Sequence, residues 1–434
     1  MSGASETTPF RFPGLREWHR SGYNEIDLVD YNTRNLKTSA ALYFRLDPDK
    51  GMESSEFIAA GNFSTGTTVY QGDNRFSLKD IAFWQTRLEL RKKGKYFLRA
   101  YYTDESSGNS YDPYLTALIL QREAKSNADW GKDYLNYWRL QGAGQPEEEI
   151  RRPVEEGGLG FPGIVIENGM ILPYDFDAAA AWYQDPANLE ALRQFHADAS
   201  AAADMAGTGS SVDRYEVGTD RFNEKFDEIR TTLNANSGLF QNNGSALYDR
   251  SALYHVHGEY NFGVEGLEYL KVGANARLYT PDTRGTVFAD TGDIKITNWE
   301  VGAYVGVEKK FYEDKLAFSA TLRGDKNQNF NVIATPAASV VFKPKPGSFL
   351  RASFSAAVRN PTLADQYLDL NVGPATLRGN LNGVQDLVTV ESFNDYRNSQ
   401  NPMDLDSFDI RAVRPERVKT AEIGYRTTLS LIHI

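Results

Sequence analysis

With 434 residues, the chain sets 47 Lys and Arg against 58 Asp and Glu for a net charge of -11, and it has no cysteine, which excludes a disulfide scaffold, a thiolate metal site and a thiol nucleophile. Aromatic residues at 12%, with 36 Gly and 17 Pro, favour strands and turns over helices. The acidic balance and the lack of a Lys/Arg cluster speak against a nucleic-acid surface.

A mean hydropathy of -0.50 leaves the membrane question open. No stretch has the ~20 apolar residues of a transmembrane helix, whereas a transmembrane strand needs only ~10 alternating residues and averages close to neutral. The N-terminal segment MSGASETTPFRFPG lacks the basic and apolar regions of a secretory signal, so the chain is either cytosolic or an internal fragment.

Taken in chain order, residues 1–35 read as an external loop or the start of a fragment. Alternation bounded by turn residues predicts the first barrel-like strands, within 36–103, at 36–46, 54–65, 78–90 and 95–103. Residues 104–247 then form a large insertion with 24 Asp and Glu against 11 Lys and Arg, so the chain's acidity resides there and the remainder stands at +2. In it, Asp185-Pro186 is an N-cap and first-turn pair, and Phe222, Phe226, Ile229 and Leu233 recur at helical spacing. Part of the insertion is expected to fold as a small extracellular cap over the mouth of the sheet. Its aromatics, among them Trp130, Tyr134, Tyr137, Trp138, Trp182 and Tyr183, admit two readings: a surface for sugars and other amphipathic ligands, or the cap's own core.

Strands resume over 248–434, at 248–262, 267–280, 297–311, 315–325, 330–342, 348–359 and 417–430, with a long loop at 360–416. Leu270, Val272, Ala274, Ala276 and Leu278 oppose Lys271, Gly273, Asn275, Arg277 and Tyr279. Trp299, Val301, Ala303, Val305, Val307 and Phe311 oppose Asn298, Glu300, Gly302, Tyr304, Gly306 and Glu308. Most of the eleven strands exceed the ~5–6 residues of globular ones. Connections alternate in kind. One set is short (Asp47 to Glu53, Arg91 to Gly94, Gly263 to Gly266, Tyr312 to Asp314, Lys343 to Gly347); the other is longer (66–77, 104–247, 281–296, 360–416), with 326–329 the one short member. Sorting by parity is the pattern of outer-membrane barrels, whose turns face the periplasm and whose loops face outside. The fold class expected is all-β, a partial antiparallel transmembrane β-barrel with a large, partly helical insertion.

Arg359-Asn360-Pro361-Thr362 with Asp365-Gln366-Tyr367, and Pro415-Glu416 running through Lys419 to Glu422-Ile423-Gly424-Tyr425, are where a family resemblance appears. They resemble the motifs that leave one late barrel strand and enter the next in TonB-dependent receptors of Bacteroidetes outer membranes. Leu253 to Tyr260 is similar to the strand that follows that family's longest loop. The resemblance implies about 11 of roughly 22 strands, and a gene fragment whose Met1 lies inside an external loop, since nothing resembles the family's signal peptide, TonB box, plug or terminal aromatic strand. It further implies outer-membrane lipid around the barrel, the TonB-ExbB-ExbD system as partner through the plug, and a nutrient ligand too large for porins: a siderophore, vitamin, oligosaccharide or peptide. Arg277, Arg323, Arg351 and Arg359 would face the lumen and hold the plug, or simply wet the bore.

Catalytic patterns are missing from the sequence. His255, His257 and Glu259 share a face at a spacing able to hold Zn²⁺, but the same spacing arises on any polar strand face, and no metal or other cofactor is expected. Asp47-Pro48-Asp49-Lys50-Gly51 lacks the register of a calcium loop and reads as a turn. No G-x-S-x-G or H-E-x-x-H motif occurs, and paired carboxylates such as Glu147 to Glu149 sit in Gly- and Pro-rich runs; the expectation is no enzyme. Two other readings compete with transport: a surface glycan-binding β-sandwich or adhesion protein, and a polysaccharide-active enzyme with its acids in the insertion.

Overall fold

A computed structural model describes residues 19–71, 75–140, 166–167, 170–171, 176–235 and 244–428. Alternating segments become strands where each backbone N–H and C=O finds a neighbour, and eleven do so in one antiparallel sheet. They are β1 (Arg34–Arg45), β2 (Glu56–Gln71), β3 (Arg75–Lys92), β4 (Tyr96–Ser106), β5 (Ala252–Phe262), β6 (Tyr269–Thr280), β7 (Asn298–Phe311), β8 (Leu316–Asn327), β9 (Ile333–Phe342), β10 (Ser348–Arg359) and β11 (Glu416–Thr427). Each pairs with the next in sequence, so the sheet is a meander with β1 and β11 at its edges.

The two faces are exposed in the reverse of the soluble order. On β7 and β8 the apolar residues Val301, Val305 and Leu322 are 44%, 41% and 53% exposed, while Asn298 and Asn327 on the polar face are 2% and 3% exposed. The same face of the sheet carries Leu36, Leu42 and Phe44 on β1, Leu88 on β3, Val256 on β5 and Ile423 on β11, all exposed. A sandwich would bury this face under a second sheet; among the described residues none covers it. The polar face instead packs on itself through opposite charges on adjacent strands. Arg91 meets Glu56 at 3.0 Å, Arg99 meets Glu89 at 2.9 Å, and Lys271 meets Glu259 at 3.3 Å.

The strand count is the expected eleven, but the connection expected at 66–77 is largely strand. β2 continues to Gln71 and β3 begins at Arg75, with the register shifting between Gly66 and Thr68. Ser64, Thr65, Thr67, Thr68, Val69 and Tyr70 are β-branched, hydroxyl or aromatic residues that pair readily when a partner strand is close, and one bulge absorbs the extra residue. Asp47–Gly51, expected as a turn, enters a short 3-10 helix, Pro48–Glu53, with Lys50 on Asp47 at 3.2 Å.

A second compact unit comprises the described residues within 1–29 and 113–230. Its helices are α1 (Glu25–Leu28), α2 (Pro113–Ala124), α3 (Asn127–Leu140), α4 (Phe176–Gln184), α5 (Pro186–Asp204) and α6 (Asp220–Thr231). α5 starts as its sequence predicts: Asp185 Oδ1 accepts from the Ala187 amide at 2.9 Å and Pro186 occupies the first turn, where its missing N–H costs nothing. In α6 Phe222 and Ile229 are buried, whereas Leu233 falls beyond the helix end in a bridge to Ala246. α2 opens on the like pair Asp112-Pro113, and α3 follows Ser126, whose hydroxyl accepts from the Asp129 amide at 3.0 Å.

Trp130, Tyr134, Trp182, Leu192, Ala199 and Ala203 form this unit's core. Lys125 is enclosed beside it, donating to Asp133 at 2.7 Å and to the Ala203 carbonyl at 2.6 Å. Burial disfavours the Asp133 charge, but the bonds from Lys125 and Thr208 outweigh it and hold the carboxyl below its ordinary range. The Tyr134 hydroxyl is bonded to Nδ1 of His196, whose imidazole burial keeps below its usual value of 6.5.

Two outcomes follow. Val305→Arg, on the exposed apolar face, should cost about 2–4 kcal/mol in urea titrations of bilayer-inserted protein, whereas an exposed valine facing water would tolerate arginine within about 0.5 kcal/mol. His196 takes a proton in the unfolded chain near pH 6.5 but later in the folded one, so the helical unit should lose stability as pH falls below that value, until the folded pKa is passed. Near-UV dichroism of the tryptophans between pH 7.5 and 5 measures this, and His196→Gln should remove the dependence; an equal loss in the variant would refute the assignment.

Candidate functional site

The polar face of β5–β8 and β10, at the rim of the longer loops, builds the site. Glycines on this face leave notches that long side chains cross. A Cβ on Gly273 would lie 2.3 Å from the Tyr304 ring, and one on Gly302 would lie 2.4 Å from Asp325 and 2.5 Å from Arg323. Through the first notch Tyr304 on β7 passes over β6 and donates to Glu259 on β5 at 2.7 Å. Through the second, Arg323 on β8 passes over β7 and donates to Asn275 on β6 at 2.8 Å, while also binding Asp325. Each crossing ties three strands together.

Above these clamps lies a network of amides. Asn327 Nδ2 donates to Asn298 Oδ1 and to Glu300 Oε1, both at 3.0 Å. Asn298 and Asn329 donate to Gln366 Oε1 at 3.2 and 2.7 Å, and Asn360 donates to Glu300 at 2.9 Å. Gln366 is 3% exposed and sits on a short helix, α7 (Leu363–Tyr367). Thr362 caps α7 in a reciprocal capping box: its hydroxyl accepts from the Asp365 amide at 3.1 Å, and Asp365 accepts from the Thr362 amide at 2.8 Å. Those Thr362 bonds hold the Asp365 carboxyl below its ordinary value. The 359–367 motif thus anchors the start of the long loop to the strand ends.

Between strands and α7 opens a cavity of about 510 Å³, its walls including Arg277, Tyr279, Glu300, Arg323, Lys326 and Arg359. Of the four arginines singled out by sequence, three line it: Arg277, 3.6 Å from Glu300, Arg323, and Arg359, 3.8 Å from Glu416. Arg351 lies apart, paired with Glu422 at 3.1 Å. The second motif is therefore spent on register, since β11 brings Glu416 opposite Arg359 and Glu422 diagonal to Arg351.

The insertion's aromatics separate. Trp130 and Tyr134 are 2% and 1% exposed, and Trp182 is buried with them, so these rings fill the helical unit's core and offer no face to a ligand; the indole of Trp130 donates to Asp204 at 2.7 Å. Tyr183 is exposed, edge-on to Trp182 at 5.2 Å. The Trp138 side chain lies outside the described residues. His255 and His257 stack at 6.2 Å, and Glu259 is taken by Tyr304 and Lys271. Among the described residues no group of three His, Asp or Glu is placed to hold a metal ion. Sequence reasoning missed Asn298, Asn327, Asn329 and Gln366 as a unit, although their amides cluster in chain segments near strand ends.

A family model described as TonB dependent receptor-like, beta-barrel, matches residues 167–433. The chain belongs to this family. TonB-dependent receptor barrels stand in bacterial outer membranes and serve transport rather than catalysis, in keeping with the reversed exposure of the sheet. Similar solved structures include the siderophore receptor PirA from Pseudomonas aeruginosa, at 9% identity over 92% of this chain and 44% of that one, TM-score 0.42. A variant ferric enterobactin receptor from Pseudomonas aeruginosa, in complex with enterobactin, has 11% identity over 81% and 37%, TM-score 0.40. The FrpB iron transporter from Neisseria meningitidis has 11% identity over 77% and 38%, TM-score 0.38. The chain spans less than half the length of each of these proteins. A comparison with curated proteins finds no match.

Gln366→Leu should leave the buried Asn298 amide without its acceptor, at about 1–3 kcal/mol, take from Asn329 one of its two acceptors, and release the loop. Limited proteolysis should then cut within 368–412 several-fold faster while the strands survive; unchanged cleavage would remove the anchoring role.

Proposed function

We propose that this chain is the wall of an energy-coupled outer-membrane importer for a ligand too large for porins. The observation that carries the reading is the exposed apolar face of eleven long, sequentially paired strands, in a chain matched by the TonB-dependent receptor barrel family. Hydrocarbon is the medium that such a face suits. External loops would capture the ligand, and the TonB-ExbB-ExbD system would drive its passage by remodelling a plug against the polar face. No bond is made or broken in such a cycle. The motifs at 359–367 and 415–425 favour the Bacteroidetes kind of receptor. The insertion at 104–247 would be extracellular, where its excess of carboxylates is solvated and costs nothing to keep charged.

Cell fractionation tests the assignment. The chain should sediment with outer membranes, resist extraction by carbonate at high pH and dissolve only in detergent. Recovery in the soluble fraction, folded and without detergent, would overturn it in favour of a surface-binding sheet protein.

A further inference from the structure

Charge is unevenly spent in the cavity between β6, β7, β8, β10 and α7. Four cations line it, Arg277, Arg323, Lys326 and Arg359, against two carboxylates, Glu300 and Asp325. Arg323 is consumed by Asp325 and Asn275. Lys326 donates to the carbonyls of Asn327 at 2.7 Å and Phe330 at 2.6 Å. The other two cations are held loosely. Arg277 comes no closer than 3.6 Å to Glu300 in its ion pair and touches the Tyr279 hydroxyl, and its buried Nε has no partner. Arg359 reaches Glu416 only at 3.8 Å, with both side chains 70% exposed. Asn327 and Asn360 both draw on Glu300 Oε1, and its Oε2 faces Arg277 only at 3.6 Å.

A guanidinium carries five donors in a planar fork that matches two oxygens of one oxyanion. The wall's amides are bonded to one another, so the donors left open toward the cavity belong mainly to these two forks. Few apolar groups line it, Val301, Val358 and Leu363 among them, and its aromatic, Tyr279, is engaged by Arg277.

We propose that this cavity binds a small ligand bearing carboxylate or phosphate groups, gripped by the guanidinium groups of Arg277 and Arg359. The proposal rests on the uptake reading and narrows its cargo. It also divides the sequence-predicted arginines by role: Arg323 braces the wall, Arg351 sets register with β11, and Arg277 and Arg359 meet the ligand.

The experiment is calorimetric titration of the full chain in detergent micelles with citrate, pyrophosphate and neutral maltotriose. Citrate or pyrophosphate should bind, the one that binds naming the oxyanion, and maltotriose should not. Arg277→Gln and Arg359→Gln should each weaken binding at least tenfold. Arg359→Lys should fall between, because it keeps charge without the fork, and Lys345→Gln in the β9–β10 turn should change nothing. Arg359 is exposed enough to be replaced without unfolding, which far-UV dichroism checks. Absence of anion binding by the folded chain, affinity unchanged from the parent in both glutamine variants, or preference for maltotriose would overturn the proposal. Such a failure in a chain that still fractionates with outer membranes would leave the importer reading intact, and binding by a chain found soluble would do the reverse.

Discussion

Hydrocarbon gives a backbone amide nothing to bond to, and the fold answers that one constraint. Each strand from β2 to β10 is paired on both sides, in an unbroken antiparallel meander, so its N–H and C=O groups never face an apolar medium. Period-two geometry then forces a choice of faces. Residues such as Val301, Val305 and Leu322 go outward, and the Asn, Arg, Glu and Tyr side chains between them must satisfy one another on the inner side. An interior of this kind cannot be a hydrophobic core. It is a polar lattice held by directional bonds.

Directional bonds need room to reach, and that explains the glycines on the polar face. Gly273 and Gly302 are required by close approach, because the Tyr304 ring and the Arg323 guanidinium occupy the space a Cβ would take. These crossings link alternate strands, which the backbone ladder alone cannot do. At the rim the same logic continues with amides, where Gln366 receives two donors and converts the start of a long loop into part of the wall. The cavity beneath α7 is what remains when the lattice has satisfied itself, and its loosely held guanidiniums are the groups the lattice had no further partner for.

The helical unit obeys the opposite rule. Its apolar rings turn inward, with Trp130, Tyr134 and Trp182 packed together, and the deeply enclosed Lys125 is compensated by Asp133 and two backbone carbonyls. Burying an ammonium without such partners would cost several kcal/mol. One chain therefore carries two kinds of interior, and a mean hydropathy averaged over both describes neither.

The sequence by itself determined the strand count, the membership of each face and the separation of short turns from longer loops, because these depend on local period and turn chemistry. It showed the start of α5 through Asp185-Pro186, but β2 and β3 outran their expected ends, since pairing with a neighbour extends a strand past the point where its own pattern weakens. It marked 359–367 as a motif without disclosing that Thr362 and Asp365 cap a helix or that Gln366 docks it. Which aromatics of the insertion were core and which surface, and which arginines were spent or left open, was decided only in three dimensions. Bond satisfaction is a property of neighbours brought together across up to 193 positions of chain, as Ser21 and Arg214 are, and no local period encodes it.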